Sequence, residues 1–297
     1  MKKQLVISIT ILFLGVAVTP ITQGTIIENT TENINNKSRG YYFGLEGNIK
    51  FSYNTTAFLE PIKPLGGATI RIINVSYKVT GILAVFISYL LDRWGDFMTI
   101  ELSVEDVPDY ATVRVSPKVV IRVIGTQWFS EECFVYISVN EDAPAYETSY
   151  FTLKATSVSI KGPLGLLSWI HDAEHIQDIP FVPGYIAIID ITPETTYIET
   201  PPGEITNISI LFENFGNGLT MVNAEIIQIP SDEWWCYIQP ETVLDVGESK
   251  NVPFFILPPG NFTGYGDIRI SFTPSYFYDP TQQGYTNIIT FTVHYKP

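Results

Sequence analysis

The segment from His171 to His175, which reads His-Asp-Ala-Glu-His, contains residue types that can form a catalytic zinc site. In an H-x-x-E-H pattern on a helix, two histidines one turn apart bind zinc, and the glutamate, here Glu174, activates a water molecule. Such a site needs a long buried helix and a third ligand. The segment lies instead within residues 163–180, which are bounded by prolines and allow one or two helical turns. We therefore expect a short amphipathic linker helix at 163–180, and a zinc-dependent hydrolase using His171, Glu174 and His175 is kept as an alternative.

Two acidic pairs offer hard oxygen ligands of the kind that calcium prefers. These are Glu131-Glu132 and Glu141-Asp142, which we expect in turns. No spaced calcium-loop motif accompanies them, so solvated turns are the favoured interpretation. The sequence also lacks phosphate-cradling glycine loops, nucleophile elbows and catalytic cysteine–histidine arrangements. We predict no catalytic residue, no metal ligand and no cofactor, and hence a protein that is not an enzyme.

Three groups of neighbouring aromatic residues could stack on sugar rings. They are Tyr41-Tyr42-Phe43, Trp234-Trp235 and Tyr276-Phe277-Tyr278. Most aromatic side chains of a β-sandwich lie in its core, so carbohydrate binding is a second alternative rather than the favoured function. This alternative predicts a clustered, solvent-exposed aromatic row, whereas a flat polar face would count against it.

The composition indicates which scaffold must hold these residues. Of 297 residues, 45% are apolar, 16% are charged and 20 are prolines, which is too hydrophobic for disorder and too rich in proline for a helical bundle. This length suits two modules, each with its own core. The chain has 17 basic and 31 acidic residues, a net charge of −14. Such a charge disfavours nucleic acid or an anionic membrane as a partner.

The first 24 residues have the features of a secretory signal peptide. Lys2 and Lys3 precede an uncharged run from Leu5 to Val18, and small residues follow. This run is shorter than the roughly 20 residues of a membrane-spanning helix, although an uncleaved anchor is an alternative to cleavage. The Asn- and Thr-rich residues 25–39 are expected to be a flexible spacer. We therefore predict an extracellular or cell-surface location.

Six Asn-x-Ser/Thr sequons predict N-glycosylation of an exported chain. Three of them fall in runs where apolar and polar residues alternate, so their asparagines should point away from the core. The sequon asparagines are Asn29, Asn36, Asn54, Asn74, Asn207 and Asn261, of which Asn54, Asn74 and Asn207 are the three in alternating runs. The first two lie in the expected spacer.

Only two cysteines are present, Cys133 and Cys236, about a hundred residues apart. Neither can form a disulfide within its own module, so a disulfide scaffold is excluded. Each has apolar or aromatic neighbours, which favours a buried thiol over a reactive one.

Short alternating runs separated by turn residues recur from Tyr41 to the end of the chain. They predict an all-β protein of two tandem immunoglobulin-like Greek-key β-sandwiches after an N-terminal signal peptide. The expected sandwiches are residues 40–162 and 181–297, joined by the linker at 163–180. A common spacing of prolines and strands in both halves indicates tandem copies of one fold. The nearly continuous apolar segment 81–91 is either a buried helical turn or a strand covered on both faces.

The second module carries a series of short motifs after its Asn207–Asn214 run. They are Phe215-Gly216-Asn217-Gly218, Ile229-Pro230, Trp234 or Trp235, Gln239-Pro240 and Asp245-Val246-Gly247-Glu248-Ser249. This order resembles the NPCBM-associated domain and the cell-adhesion-related domain of prokaryotic surface proteins, although Val-Gly replaces their usual Pro-Gly. The first module, with Pro64-Leu-Gly-Gly67 and Glu141-Asp-Ala-Pro-Ala-Tyr146, resembles Ig-like repeats of archaeal secreted proteins. The resemblance implies a spacer, adhesion or accessory role at the cell surface and transfers no catalytic residue.

The sequence thus predicts a non-catalytic structural or adhesive protein of the cell surface. Its expected partners are other cell-surface or extracellular proteins, with glycans as a further class and no nucleic acid. Contact with a membrane is expected only through an uncleaved N-terminal segment. The chain ends at Pro297, directly after the last expected strand, so the protein is released, held by a partner or its own amino terminus, or continued in a longer gene.

Overall fold

The computed structural model describes residues 45–81, 84–86, 89, 97–123, 125–159 and 170–295. All of them lie in the second of two compact units, residues 37–297. The predicted signal peptide, the spacer with Asn29 and Asn36, and the aromatic group at residues 41–43 lie outside the described residues.

The first sandwich is formed by two sheets and a short helix. Its elements are β1 (Leu45–Tyr53), α1 (Thr55–Leu59), β2 (Thr69–Thr80), β3 (Phe97–Glu105), β4 (Ala111–Ser116), β5 (Val119–Val123), β6 (Phe129–Val139), β7 (Ser149–Ser159), β8 (Ile170–His171) and β9 (Glu174–Phe181). One sheet has the order β4-β6-β2-β1-β8 and the other β5-β3-β7-β9. Neighbouring strands are antiparallel, except that β8 runs parallel to β1.

The second sandwich also consists of two sheets. Its strands are β10 (Ile189–Pro193), β11 (Tyr197–Thr200), β12 (Thr206–Asn214), β13 (Thr220–Gln228), β14 (Trp235–Ile238), β15 (Glu241–Leu244), β16 (Ser249–Leu257), β17 (Tyr265–Tyr276), β18 (Asp279–Gln283) and β19 (Asn287–Tyr295). One sheet has the order β10-β12-β16-β14, and the other β11-β19-β17-β13-β15, with β18 paired to β17. From β10 to β17, consecutive strands alternate between the two sheets, as in Greek-key sandwiches.

The period-two pattern places one side of each strand in a core. In β2, Ile73, Val75 and Tyr77 are fully buried, and in β12, Ile210 and Phe212 are as well. The buried apolar residues form two separate clusters, one within residues 45–181 and one within 191–293. The predicted fold class, two tandem immunoglobulin-like sandwiches, is confirmed.

The predicted linker helix is wrong for the described part of 163–180. Residues 174–181 form β9, which pairs antiparallel with β7 from Glu174 to Phe181. The reason is visible in the burial pattern, because Ile179 and Phe181 are buried and complete the first core, whereas Glu174, Ile176 and Asp178 on the other side of β9 are exposed. The expected boundaries at residues 24, 39 and 162 lie outside the described residues and stay predictions.

The apolar segment 81–91 is helical where it is described, at residues 84–86 and 89. Ala84 is buried, whereas Val85, Phe86 and Tyr89 are exposed. A strand covered on both faces is therefore wrong for these residues. The helical turn is correct, but it is not buried on all sides. Across the part of the chain that the structure describes, we find no helix whose length and apolar character would let it cross a membrane.

The two sandwiches meet at a joint formed by residues 143–146, 183–186 and 214–218 together with Tyr276. Asn217 is buried at its centre. Its Nδ2 donates hydrogen bonds to the carbonyl oxygens of Ala143 (2.7 Å) and Gly184 (2.8 Å), and its Oδ1 accepts one from the Ile186 backbone N–H (2.8 Å). One amide thus binds the first sandwich, the connecting chain and the second sandwich together.

The loop that presents Asn217 tolerates no added side-chain volume. A Cβ at Gly216 would lie 2.5 Å from the Ile186 carbonyl oxygen, and one at Gly218 would lie 3.1 to 3.2 Å from Ala145, Tyr185 and Tyr276. The Tyr276 ring also packs against Tyr185 (5.0 Å between centroids) and Tyr146 (4.9 Å). The joint is therefore close-packed as well as hydrogen-bonded.

Candidate binding surface

The residues of the predicted zinc motif lie on two strands, His171 at the end of β8 and Glu174 and His175 at the start of β9. Strand β9 turns successive side chains to opposite sides of its sheet, so Glu174 points outward and His175 inward. The Glu174 carboxylate lies 2.6 Å from the Lys154 ammonium, and the His175 ring packs on Phe51 with 5.0 Å between centroids. Burial lowers the pKa of His175, and a hydrogen bond that its ring N–H donates to the Gln177 side chain partly offsets this. The zinc hydrolase alternative is wrong because its residues lie on strands instead of on one helical face.

The acidic pairs and the cysteines also show no arrangement for chemistry. Glu131 and Glu132 lie in β6 and not in the expected turn, and only Glu141-Asp142 occupies a turn. Within the described ranges, no group of three or more His, Cys, Asp and Glu side chains is placed to hold a metal ion. Cys133 is buried, and burial raises the pKa of the half-buried Cys236 to about 11.

An aromatic row of two exposed rings and one half-buried ring, Phe255, lies on the outer face of the β10-β12-β16-β14 sheet. We define it as Trp235, Tyr237 and Phe255. Trp235 and Tyr237, on β14, are each 48% exposed and stack at 6.2 Å between centroids with 11° between their planes. Phe255, on β16, is directly opposite Tyr237 in the register, and the two rings are 6.4 Å apart. This is the feature that the carbohydrate alternative predicts.

The aromatic row is bordered by apolar side chains at one end and polar ones at the other. Ile205, which precedes β12, is 64% exposed, and Leu257 is directly opposite Trp235. Further along the same face, Ser209 donates a hydrogen bond to Asn251 (3.1 Å) and Ser249 donates one to Glu213 (3.1 Å). The apolar surface is therefore confined to one end of the sheet.

A second aromatic cluster lies on the outer face of the opposite sheet. We call it the Tyr–His–Tyr cluster; it consists of Tyr197, His294 and Tyr265. The His294 ring lies 4.4 Å from Tyr265 and 6.0 Å from Tyr197, and both tyrosines are exposed. His294 thus lies on the solvent side of β19, and its ring contacts the rings of both tyrosines.

The remaining predicted aromatic groups divide between core and surface. Trp234 is buried and meets Phe262 edge to face at 4.8 Å, so only Trp235 of that pair belongs to the exposed row. Tyr276 is part of the joint, whereas Phe277 and Tyr278 are exposed and meet edge to face at 5.2 Å.

The described sequon asparagines are accessible to different degrees. Asn54, Asn207 and Asn261 are exposed and Asn74 is half-buried. Asn54 does not extend β1 as expected; it caps α1, with its Oδ1 accepting hydrogen bonds from the N–H groups of Thr56 (3.1 Å) and Ala57 (3.4 Å).

The outer face around Asn74 is less exposed to solvent than the alternation of apolar and polar residues in β2 predicts. Ser76 has outward parity but is buried, with its hydroxyl 2.6 Å from that of Ser130. The ammonium groups of Lys50 and Lys78 lie 4.7 and 4.5 Å from the centre of the Trp128 ring. Trp128 lies outside the strands, so the alternation in β2 gave no sign of it.

Sequence reasoning missed Phe255, Tyr197 and Tyr265 as surface aromatic residues. Each lies on a different strand from its partners, and only the register of the sheets brings them together. The usable signal was parity, because Phe255 has the opposite parity from the core residues Phe254 and Ile256.

The fold and these surfaces define a tandem immunoglobulin-like β-sandwich protein with exposed aromatic clusters. No family model matches the chain, and no curated protein is similar enough to match it. Among solved structures, the chain is similar to an ASH/PapD-like domain of human CEP192 at 14% identity and a TM-score of 0.30, over 36% of this chain and 84% of that one.

Two other solved structures match most of the chain. The class 5 fimbriae chaperone CfaA is 12% identical with a TM-score of 0.27, over 82% of this chain and 99% of that one. Domains 4 and 5 of the S-layer protein SbsC are 12% identical with a TM-score of 0.27, over 84% and 98%. At these identities the similarity concerns the β-sandwich fold alone.

Proposed function

We propose that the protein is a non-catalytic structural or adhesive element of the cell surface. It is exported by the signal peptide at residues 1–24, N-glycosylated, and bound to other surface or extracellular proteins. Its resemblance to the adhesion-related domains of prokaryotic surface proteins, and to repeats of archaeal secreted proteins, supports this assignment.

The observation that carries the proposal is the joint around Asn217. A chain whose modules act separately needs only a flexible linker, whereas this chain uses a buried amide and three packed tyrosines to hold two sandwiches as one unit. Fixed spacing between two modules suits an element that bears load or presents binding faces at a set distance.

The test is to locate the native protein and read its modifications. Native cells are fractionated, and peptides containing Asn54, Asn74, Asn207 and Asn261 are analysed by mass spectrometry. We expect the protein in the surface or secreted fraction, with a mature amino terminus after residue 24 and glycan on several of these peptides. Unmodified peptides from a cytosolic fraction would contradict the proposal.

Carbohydrate binding is the second candidate function, favoured by the aromatic row and the Tyr–His–Tyr cluster. The C–H face of a sugar ring packs well on the electron-rich face of an aromatic ring. Both clusters contain solvent-exposed aromatic rings, at spacings between ring centres of 4.4 to 6.4 Å.

A glycan array tests this candidate. Tyr265→Ser should weaken binding at the Tyr–His–Tyr cluster, and Trp235→Ser should weaken binding at the aromatic row. Tyr285→Ser is the matched control, because Tyr285 is 94% exposed and belongs to neither cluster. Wild-type protein that binds no glycan, or variants that bind as well as wild type, would remove the candidate.

A further inference from the structure

The aromatic row lies beside a sequon asparagine. Asn207, on β12, is directly opposite Phe255 on β16, which is directly opposite Tyr237 on β14. The three side chains thus form one line across the outer face, with Trp235 two residues from Tyr237 on the same strand. Directly opposed residues have Cβ atoms about 5 Å apart, so the first sugar on Asn207 would start within one side chain's reach of the Phe255 ring.

A contiguous apolar surface such as the aromatic row is seldom left exposed to solvent in an exported protein. Three aromatic side chains, with Ile205 and Leu257 at their border, lie on the solvent side of strands whose opposite side is core. Further along the same face lie two hydrogen-bonded polar pairs, Ser209 with Asn251 and Ser249 with Glu213. The apolar surface is thus confined to the part of the sheet that a glycan on Asn207 can cover.

We propose that the glycan carried by Asn207 lies over the aromatic row and is its resident ligand. Covalent attachment holds the sugars at a high local concentration, so even weak stacking keeps them on the rings. Trp235 and Tyr237, stacked with 11° between their planes and each 48% exposed, offer their exposed ring atoms to a second and a third sugar. The inference rests on the proposed function, because N-glycosylation requires export.

The modification itself is a glycosyl transfer to the asparagine amide. A bond forms between Asn207 Nδ2 and the anomeric carbon of an oligosaccharide that the cell supplies on a lipid-linked phosphate. The bond from that carbon to the phosphate oxygen breaks and its electron pair leaves with the phosphate. The amide nitrogen loses one proton, so atoms and charge balance without an oxidant or a reductant.

In the first sandwich, too, a sequon asparagine lies near an outward apolar patch, although its direct partner across the strands is Glu132. Asn74, on β2, is two residues from Ile72, which is exposed and directly opposite the exposed Phe134 on β6. Ile70, also exposed, continues this apolar surface along β2. Both sequons that lie within strands are therefore beside an outward apolar patch, in two different sandwiches.

If the row holds the protein's own glycan, it is unavailable to a sugar from outside. The Tyr–His–Tyr cluster, on the opposite sheet, is then the aromatic surface left free for an external glycan. The occupancy of Asn207 would set how many sugar-binding faces the protein presents.

The experiment uses the full chain produced in its native cells. Ser209→Ala destroys the Asn207 sequon without changing the asparagine, whereas Ser209→Thr preserves the sequon and is the matched control. Asn207→Gln removes the attachment atom as a second, independent variant. Glycopeptide mass spectrometry measures occupancy, and hydroxyl-radical footprinting measures the accessibility of the peptides that contain Trp235, Tyr237 and Phe255.

We expect wild type and Ser209→Thr to carry glycan at Asn207 and to protect the aromatic row. Ser209→Ala and Asn207→Gln should raise its oxidation by about twofold or more, since the bare rings are roughly half exposed. Oxidation of Tyr197 and Tyr265, on the opposite sheet, should stay unchanged in all four proteins.

The results that would contradict the inference about the Asn207 glycan differ from those that would contradict the proposed function. A bare Asn207 beside glycosylated peptides elsewhere, or an occupied Asn207 whose loss leaves the footprint unchanged, overturns the inference and leaves the proposed function intact. A cytosolic protein without glycan at any sequon overturns both.

Discussion

At the scale of single residues, β9 gives three neighbouring side chains different environments. Glu174 is paired with Lys154 on the outside, His175 packs on Phe51 on the inside, and Gln177 accepts a hydrogen bond from His175. A histidine that resembled a metal ligand in the sequence is thus a structural residue whose neutral form suits its site.

His175 should make the folded protein sensitive to mild acid. Its pKa is lowered from 6.5 by burial, so the unfolded chain binds the proton more readily, and the stabilisation is complete above pH 6.5 and declines as pH falls below it. We expect wild type to lose more unfolding free energy than His175→Phe between about pH 7.5 and about pH 5. Urea unfolding at both pH values measures this, and equal losses in the two proteins would refute it.

Cys236 should react slowly in the folded protein. Burial raises the pKa of its thiol to about 11 from 9.0, so the thiolate fraction near neutral pH falls by about 100-fold. Alkylation at about pH 8, followed by mass spectrometry, should be slower by about that factor than in the urea-unfolded chain. Reaction at the same rate in both states would show that the thiol is more accessible than its surroundings indicate.

At the scale of elements, β16 has one core face and one exposed face. Phe254 is fully buried and packs on Phe291 at 5.2 Å, whereas its neighbour Phe255 lies on the outer aromatic row. Two adjacent residues of one type therefore have opposite roles, which period-two geometry requires.

This pair gives a matched test of the strand. Phe254→Ala should lower the unfolding free energy by about 3–5 kcal/mol, and Phe255→Ala by less than about 1 kcal/mol, because only the first leaves a cavity in a packed core. Chemical denaturation of protein produced without glycan gives both values. Similar losses of unfolding free energy in the two variants would mean that the Phe255 ring is as tightly packed as the Phe254 ring.

Strand periodicity carried most of the fold from sequence alone, because burial of alternate residues such as Ile73 and Val75 is a local property. It failed at 163–180, where prolines suggested a linker and only pairing with β7 revealed a strand. Only part of the aromatic row could be predicted from the sequence. Trp235 stood out as part of a pair, but the position of Phe255 opposite Tyr237 depends on a register between distant strands.

At the scale of the whole molecule, the joint decides whether two sandwiches behave as one body. Asn217 connects three separate stretches of chain through its side chain, and Asn214 fixes the same loop through bonds from its Nδ2 to the carbonyl oxygens of Gly218 (3.0 Å) and Leu244 (3.2 Å). Asn217 is therefore a structural residue of the joint, and Asn214 is a structural residue of the loop that presents it.

Asn217→Ala should loosen the joint. The change leaves two carbonyls and one backbone N–H without their partner, which should cost about 2–4 kcal/mol of unfolding free energy. Small-angle X-ray scattering should show a larger radius of gyration with both sandwiches still folded. Asn251→Ala is the control, because Asn251 is exposed on the outer face. An unchanged scattering curve for Asn217→Ala would mean that the tyrosine packing alone fixes the modules.

Asn217 is followed by Gly218, the dipeptide in which an asparagine amide hydrolyses most readily in a flexible chain. Here the amide is held by three hydrogen bonds and shielded from water. Once converted to aspartate, it would bring a carboxylate, which only accepts hydrogen bonds, against the carbonyl oxygens of Ala143 and Gly184. Conversion of this one amide to a carboxylate would then loosen the joint between the two sandwiches, so the lifetime of the two-sandwich unit depends on how rarely the joint opens to solvent.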